Sequence, residues 1–280
     1  MKLRFGTVGS PKGTPKSGTA AAIAYTRELG LDALEIAWVR SVRVSDESCL
    51  RMKEAAAQHD ISLSVHAPYY INLNSQTDDL MAKSDARLLA AARKGYLAGA
   101  TDIIFHPGSY HGQPPEEVYR RAKAKLAELQ AILRSEGVEV TLRPESMGKS
   151  AMFGSLEEVV RLGKELEGVA PCLDVAHLHA RPGDGSFNSY EEFAAMFEFV
   201  RQELGEEGLQ TMHFHLSGIE YGPRGEKNHV VLEESDLAWR EFLQACVDFD
   251  AGGRVLIESP NLEEDALLAR RTYRQLAGLE

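Results

Sequence analysis

The sequence predicts an α/β protein with the (β/α)8 fold, the TIM barrel. Short runs rich in β-branched residues alternate with longer segments of helical periodicity, and this alternation repeats eight times along the chain. Barrels of this kind commonly reach a length of about 280 residues as one unit. In addition, His, Asp or Glu stands at the end of six consecutive apolar runs. We therefore expect a single barrel domain over residues 1–280.

Each predicted strand is followed by one predicted helix. The strands are expected at residues 3–8, 33–38, 62–66, 102–106, 138–143, 170–175, 212–216 and 254–257. The helices are expected near 17–29, 46–59, 78–98, 115–136, 155–167, 189–204, 235–249 and 263–277. Serines placed as N-caps and glycines placed as helix ends support these boundaries, namely Ser17, Ser155, Ser189, Ser235, Gly30, Gly137 and Gly168. Four stretches that follow strands, 66–78, 143–154, 177–188 and 217–234, are predicted to be irregular loops on the functional face.

Composition restricts the class of protein and its compartment. The chain has no apolar run of about 18 residues and no secretory signal at its N-terminus, so we expect a soluble protein without a membrane partner. The three cysteines, Cys49, Cys172 and Cys246, lack a CxxC spacing, which favours a reducing cytoplasm over a disulfide framework or a thiolate zinc site. A net charge of −11 argues against a broad basic face for nucleic acid. Metal ions in a cleft could still supply positive charge locally.

The polar residues at the strand ends carry the functional prediction. Strands three to eight end in or near imidazoles and carboxylates, and one more His follows in the loop after the seventh strand; the candidate ligands are His66, His106, Glu145, Asp174, His177, His215, His229 and Glu258. A lone His beside a strand is often structural, and a lone Asp or Glu often caps a helix. In a closed barrel, however, these ends converge on one cavity. The conjunction therefore predicts a metal site.

The ligand types indicate which metals and how many. Imidazole mixed with carboxylate, without thiolate, suits zinc, manganese or iron better than magnesium or calcium. Eight candidates exceed the needs of one tetrahedral ion and would serve two or three ions, with a carboxylate between them. Such clusters stabilise the attacking and leaving oxygens of phosphoryl transfer, which favours phosphodiester hydrolysis.

Six motifs resemble the endonuclease IV family of apurinic/apyrimidinic endonucleases, within the xylose isomerase-like TIM barrels. They are SVHAPYYINL (64–73), IIFHPGSY (103–110), RPESMGKSAMFGS (143–155), CLDVAHLHA (172–180), HFHLSGIEYGPRGEKNH (213–229) and LIESP (256–260), and they span nearly the whole chain. The resemblance implies three zinc ions. The first would take His66, His106 and Glu145; the second would share Glu145 and take Asp174, His215 and Glu258; the third would take His177 and His229.

The third site departs from the family pattern. The family has an Asp two residues before the loop histidine, where this chain has Lys227. A lysine ammonium has no lone pair to offer a metal. Glu226 or Glu220 could replace the missing carboxylate, but alternation in an extended loop would aim Glu226 differently from residue 227. The sequence therefore predicts either two ions or a different third ligand.

The resemblance also implies contacts to damaged DNA. Tyr69 and Tyr70 would occupy the place where the family inserts side chains at the lesion, although packing of the barrel mouth explains them equally well. Arg40 and Arg43 could contact the phosphate backbone, as could Lys149 and Lys227, but isolated surface cations are just as common.

These residues lead to one main function and two alternatives. By resemblance, a monomer would cleave double-stranded DNA 5′ to abasic sites in base-excision repair, with Glu145, Asp174 and Glu258 holding the ions and orienting the attacking water. The alternative enzyme is a single-metal sugar isomerase or epimerase of the same superfamily, for which the quartet Glu145, Asp174, His215 and Glu258 would suffice. The other four histidines among the candidates favour the nuclease. A metal- or DNA-binding protein without catalysis is the third possibility.

Overall fold

A computed structural model describes residues 3–15 and 17–279; residues 1, 2, 16 and 280 of the expected domain lie outside the described part. The strands are β1 (Leu3–Val8), β2 (Ala33–Ala37), β3 (Ser62–His66), β4 (Asp102–Phe105), β5 (Thr141–Pro144), β6 (Leu173–Asp174), β7 (Met212–Leu216), β8 (Gly218–Gly222), β9 (Gly225–Val230) and β10 (Gly253–Ile257). The helices are α1 (Thr19–Glu28), α2 (Asp46–His59), α3 (Asp78–Leu97), α4 (Pro115–Ser135), α5 (Leu156–Glu165), α6 (Val175–Ala180), α7 (Tyr190–Gln210), α8 (Trp239–Asp248) and α9 (Glu263–Leu276).

Eight of the strands form one parallel sheet that curls into a barrel. The strand order is β5-β4-β3-β2-β1-β10-β7-β6, and every neighbouring pair is parallel. Isolated parallel bridges from Leu142 to Val169 and from Glu145 to Cys172 join β5 to the segment that leads into β6, so the two ends of the sheet meet. The predicted (β/α)8 barrel is confirmed.

Two of the predicted irregular loops are wrong. Residues 217–234 contain an antiparallel hairpin, β8 and β9, followed by a 3-10 helix at Leu232–Glu234. The stretch after β6 begins with the short helix α6, because the Asp174 side chain accepts a hydrogen bond from the His177 backbone amide and caps it. β6 is correspondingly limited to two residues, where six had been expected.

Local chemistry explains most of the other boundaries. Ser155 and Ser189 cap α5 and α7 as predicted, each accepting from the backbone amide three residues on. Ser17 and Ser235 do not cap: α1 begins after Gly18, and the Ser235 hydroxyl instead accepts from backbone amides near β8 and α8. α7 runs past its predicted end through Gly205, whose φ of 72° marks a break within the helix.

The amino end of the barrel is closed by a buried ion cluster. Asp102 of β4 pairs with Arg143 of β5 and, at 2.7 Å, with Arg254 of β10. Burial alone would raise the pKa of Asp102, but the two guanidinium groups outweigh it and hold that pKa well below its usual range. In a TIM barrel this end contributes to stability, so the opposite, carboxyl end is where function is expected.

None of the helices in the described ranges has the length and apolar character required to cross a lipid bilayer.

Candidate metal centre

The structure brings all eight predicted ligands to the carboxyl end of the barrel. Their atoms form three overlapping groups, in each of which the ligand atoms lie within 4.8 Å of one another. The groups are His66–His106–Glu145, Glu145–Asp174–His215–Glu258 and Asp174–His177–His229. The first two share Glu145 and the last two share Asp174.

Glu145 lies at the centre of the cluster and is fully buried. Its Oε2 is 3.2 Å from His66 Nε2 and 3.4 Å from His106 Nε2. Its Oε1 points to the other side, 3.6 Å from His215 Nδ1. One carboxylate thus faces two different groups of ligands, which is the arrangement that a bridging ligand requires.

Glu258 connects the second and third groups. Its Oε1 is 3.6 Å from His215 Nδ1, and its Oε2 is 3.5 Å from His229 Nδ1. His229 Nε2 in turn lies 3.3 Å from His177 Nε2. Unlike Glu145 and Asp174, the Glu258 side chain is partly exposed, at 15%, and lines the cavity at the barrel mouth.

Hydrogen bonds on the outer side of the imidazole rings assign their protons. His66 Nδ1 donates to the Ala67 carbonyl and His177 Nδ1 to the Ser146 carbonyl, each at 2.9 Å. A carbonyl oxygen can only accept, so these nitrogens carry hydrogen. In the neutral ring the other nitrogen has a lone pair, and His66 Nε2 directs that lone pair at the Glu145 carboxylate. Such a contact is stable only with a proton or a cation between the two groups.

In the chain alone, the neighbouring carboxylates favour the protonated form of these imidazoles. Burial acts to lower the pKa of His66, but the hydrogen bond and charge of Glu145 outweigh it and raise the pKa. For His177, burial is likewise outweighed, first by the Asp174 charge and then by Glu145, which raises its pKa to about 10. Divalent cations compete with protons for the same lone pairs.

Three buried atoms in the cluster have no hydrogen-bond partner. They are Glu145 Oε1, Asp174 Oδ2 and His215 Nδ1. His177 Nδ1 lies 3.1 Å from Glu145 Oε1, but the hydrogen on that nitrogen is donated to the Ser146 carbonyl. Buried polar atoms are otherwise almost always paired, and leaving one unpaired costs about 1–3 kcal/mol. All three belong to residues of the second group, whose ligand atoms lie close enough together to share one ion. The donor set therefore fits a divalent cation.

The β8–β9 hairpin brings a further carboxylate, Glu226, to the site. Glu226 Oε2 lies 3.6 Å from His177 Nε2, and the side chain lines the cavity. The pairing runs Ile219 with His229 and Tyr221 with Glu226, so a β-bulge leaves Lys227 as the extra residue. Because positions 219 and 221 share a face of β8, their partners His229 and Glu226 share a face of β9. In a regular strand without the bulge, side chains alternate between faces, and Glu226 would lie on the opposite face from His229.

Lys227 lies on the other face of the hairpin. Its side chain is exposed and runs beside Gly222 of the neighbouring strand. The hairpin itself is held against the loop that follows β5, because the Glu226 amide donates to the Gly148 carbonyl at 2.9 Å. Arg181 holds the same loop by donating to the carbonyls of Met147 and Lys149.

A cavity of about 600 Å³ opens above the cluster, lined by Tyr69, His106, His177, Glu226, His229 and Glu258 among others. The two predicted substrate tyrosines differ in position. The Tyr69 ring stacks on the His106 ring, with centroids 5.2 Å apart. Tyr70 is 64% exposed and packs only loosely, with Arg87 5.7 Å from its ring.

The predicted cationic contacts are dispersed around the mouth. Arg40 and Lys149 are exposed in the loops after β2 and β5, and Lys227 is exposed on strand β9.

Sequence reasoning missed Glu35. This residue lies within β2, is fully buried, and contacts His215 and His213. A charged residue in the middle of the otherwise apolar run ALEIA was the available signal.

The fold and the clustered imidazole and carboxylate groups are those of an α/β-barrel enzyme with room for divalent cations at its mouth. The profile of the xylose isomerase-like TIM barrel family matches residues 23–276, and the chain belongs to this family, an enzyme superfamily.

Relatives and solved structures refine this placement. An uncharacterized protein of Methanocaldococcus jannaschii is 38% identical over 276 residues, 99% of this chain and 98% of that protein. A probable endonuclease 4 of Geobacillus sp. is 28% identical over 177 residues, so that the match spans 61% of this chain and 57% of that protein.

Two solved structures share the fold. Endonuclease IV from Thermus thermophilus has a TM-score of 0.75 at 22% identity, over 99% of this chain and 100% of that one. A D-tagatose 3-epimerase-like protein has a TM-score of 0.74 at 17% identity, over 99% and 98%. The resemblance to endonuclease IV predicted from the motifs is confirmed, and the barrel is shared equally with epimerases.

Proposed function

We propose that the chain is a metal-dependent phosphodiesterase that cleaves double-stranded DNA on the 5′ side of abasic sites. The observation that carries the proposal is the position of Glu145, whose two oxygens face two separate groups of ligands. A third group lies beside them at the same mouth. Centres with more than one ion suit phosphoryl transfer, because both the attacking and the leaving oxygen need stabilisation.

The ligands divide naturally among three ions. His66, His106 and Glu145 would hold the first; Glu145, Asp174, His215 and Glu258 the second; His177, His229 and Glu226 the third. Imidazole and carboxylate without thiolate favour zinc, with manganese or iron as alternatives. When bound, such ions would polarise the phosphate oxygens and lower the pKa of water in the site.

The side chains of the chain itself have distinct tasks in this proposal. Glu145 and Asp174 are fully buried and hold the geometry of the ligands. Glu258 reaches the cavity and is the proposed catalytic carboxylate, whose Oε2 would orient the attacking water and accept its proton. Tyr69, stacked on His106, excludes water from one wall of the site.

DNA binding would depend on exposed groups around the mouth. Tyr70 is free to stack beside the lesion, and Arg40, Lys149 and Lys227 are free to contact phosphates. We propose that the protein acts as a monomer in a reducing cytoplasm. The free, buried Cys49, Cys172 and Cys246 support the reducing compartment.

A single-metal sugar epimerase is the second candidate. The quartet Glu145, Asp174, His215 and Glu258 would suffice for one ion and for proton transfer beside a carbonyl. Such an enzyme has no need of His66 and His106, which contact Oε2 of Glu145 rather than the oxygen that faces His215.

The test uses the full chain, stripped with a chelator and reloaded with Zn²⁺, Mn²⁺ or Fe²⁺. A labelled duplex with one abasic site should be cut on its 5′ side, leaving a 3′-hydroxyl, while the undamaged duplex stays intact. Glu258→Gln should abolish incision, because it removes the proposed proton acceptor together with one carboxylate ligand of the second ion. One ion per chain, no incision with any of the metals and turnover of a ketose would refute the nuclease and establish the epimerase.

A further inference from the structure

Glu35 is a buried carboxylate beneath the metal centre that belongs to none of the three ligand groups. It lies on β2, inside the barrel, with no exposed surface. Its Oε1 is 3.0 Å from His215 Nε2. Its Oε2 is 2.9 Å from His213 Nε2 and accepts a hydrogen bond from the Ser64 hydroxyl at 2.7 Å. Both oxygens of this carboxylate are therefore occupied by donors.

The contact with His215 decides which nitrogen of that ring can bind a cation. An ionised carboxylate only accepts, so His215 Nε2 carries the hydrogen and donates it to Glu35. Nδ1 is left with its lone pair, 3.6 Å from both Glu145 and Glu258. If the ring carried its hydrogen on Nδ1 instead, it would present a donor at the ligand position.

His215 differs in this respect from two other histidines of the centre. The outer nitrogens of His66 and His177 donate to backbone carbonyls. For His215 the outer partner is a side chain, Glu35, which can be mutated. A carboxylate also adds negative charge behind the ring, which raises its strength as a ligand more than a carbonyl does.

The surroundings of Glu35 argue against a purely structural charge. Burying a carboxylate is costly unless it is paired. Among the described residues, the ion pairs of Glu35 are with His213 and His215, and none is with Lys or Arg. An ion cluster that stabilises the barrel exists separately, around Asp102 at the amino end.

We propose that Glu35 is a positioning residue for the metal centre, which fixes the tautomer and orientation of His215 so that Nδ1 binds the cation of the second group. This inference rests on the proposed metal centre and is independent of the DNA substrate. Loss of such an outer partner typically weakens metal binding by about 10–100-fold.

The experiment compares Zn²⁺ binding by the full-length wild type, Glu35→Gln and Ser64→Ala, titrated against a chromophoric chelator. Glu35→Gln keeps the shape of the side chain and removes its charge. We expect the dissociation constant of one ion per chain to rise about 10–100-fold, with the remaining ions unaffected. Ser64→Ala removes another contact of the same carboxylate and leaves His215 its partner, so it should bind every ion as the wild type does.

Co²⁺ spectra and a second variant complete the test. The visible absorption of the affected Co²⁺ should change in Glu35→Gln, because the orientation of one ligand changes. Equal affinity and equal spectra in a folded Glu35→Gln protein would overturn the inference, as would equal weakening by Ser64→Ala. If Glu35→Gln does not fold, Glu35→Asp is measured: weakening confined to one ion supports the role of Glu35, and unaltered binding overturns it. A wild type that binds its ions but does not cut abasic DNA would contradict the proposed nuclease and leave the role of Glu35 intact.

Discussion

Glu226→Gln tests whether the hairpin supplies the missing ligand of the third ion. Glu226 Oε2 lies 3.6 Å from His177 Nε2, which in turn lies 3.3 Å from His229 Nε2. The variant would leave the third ion two imidazoles and Asp174, a carboxylate that the second ion also uses. Zn²⁺-loaded protein, analysed by elemental analysis after desalting, should therefore fall from three ions per chain to two.

The stabilisation of the fold by Zn²⁺ should be smaller in Glu226→Gln than in the wild type, and the difference can be estimated. An ion present at about 100 times its dissociation constant stabilises the fold by about 2.7 kcal/mol. If loss of the ligand weakens binding about 100-fold, the upper end of the effect of an outer partner, the contribution falls to about 0.4 kcal/mol. The difference of about 2.3 kcal/mol corresponds to roughly 5–9 °C in Tm for a large domain. Calorimetry with and without Zn²⁺ measures this difference.

Glu220→Gln is the matched control for this variant. Glu220 lies in the same hairpin and is exposed, and its carboxylate accepts a hydrogen bond from Asn228. The same chemical change there should leave three ions and the full Zn²⁺-dependent rise in Tm. If Glu226→Gln also keeps three ions and the same rise, the assignment of Glu226 to the third ion is wrong.

Three further variants probe the barrel, the mouth and the hairpin. Asp102→Asn leaves two buried guanidinium groups without their partner and should cost about 3–5 kcal/mol in urea unfolding. The folded-state pKa of Asp102 is lowered, so its contribution is present above the unfolded pKa of about 3.9 and is lost as the pH falls below that value. Tyr70→Ala removes an exposed ring and should weaken binding of abasic duplex about 5–150-fold, from about 1–3 kcal/mol of stacking. Gly225→Ala should destabilise the hairpin by about 1–3 kcal/mol and release the third ion, because φ there is 92° and a Cβ would overlap the Gly148 carbonyl.

Each of these variants has a control and a contrary outcome. Asp79→Asn breaks an exposed pair with Lys83 and should change stability by less than about 1 kcal/mol; an equal effect of the two Asp substitutions would contradict the role of burial. Tyr70→Phe should bind DNA as the wild type does, and unaltered binding by Tyr70→Ala would remove this residue from the interface. A Gly225→Ala protein with three ions and wild-type stability would show that the hairpin tolerates the substitution.

The barrel was predictable because two independent sequence signals identify most of its strands. Each is an apolar β-branched run, and most end at a polar residue. The carboxyl end of a barrel strand lies at the mouth, as His66 does at the end of β3. β6 was less predictable, since Asp174 both ends the strand and caps α6. The sequence alone does not show that Asp174 caps a helix, and so it does not show that β6 ends there.

That the candidate ligands lie close together was predictable for a similar reason, whereas the groups that contact them from behind were not. Residues at strand ends converge whatever the details of packing, so residue type and position sufficed. Glu35 stands in the interior of a strand, where only the tertiary structure shows that it meets His215, 180 positions away. The hairpin is hard to distinguish from an irregular loop by sequence, since Gly218, Gly222 and Gly225 within it are typical of turns.

The bulge at Lys227 changes how ligand spacing in this hairpin is to be compared between proteins. In a regular strand, a carboxylate two positions before His229 would share its face; here a carboxylate three positions before it does so, because one residue is looped out. In a sequence alignment, Lys227 stands where the resembling family has its carboxylate ligand. In the structure, the proposed ligand Glu226 is displaced by one position and Lys227 is the extra residue of the bulge. Deleting Lys227 would place Glu226 two positions before the histidine in an unbulged strand, and this shortened chain should still bind three ions by elemental analysis.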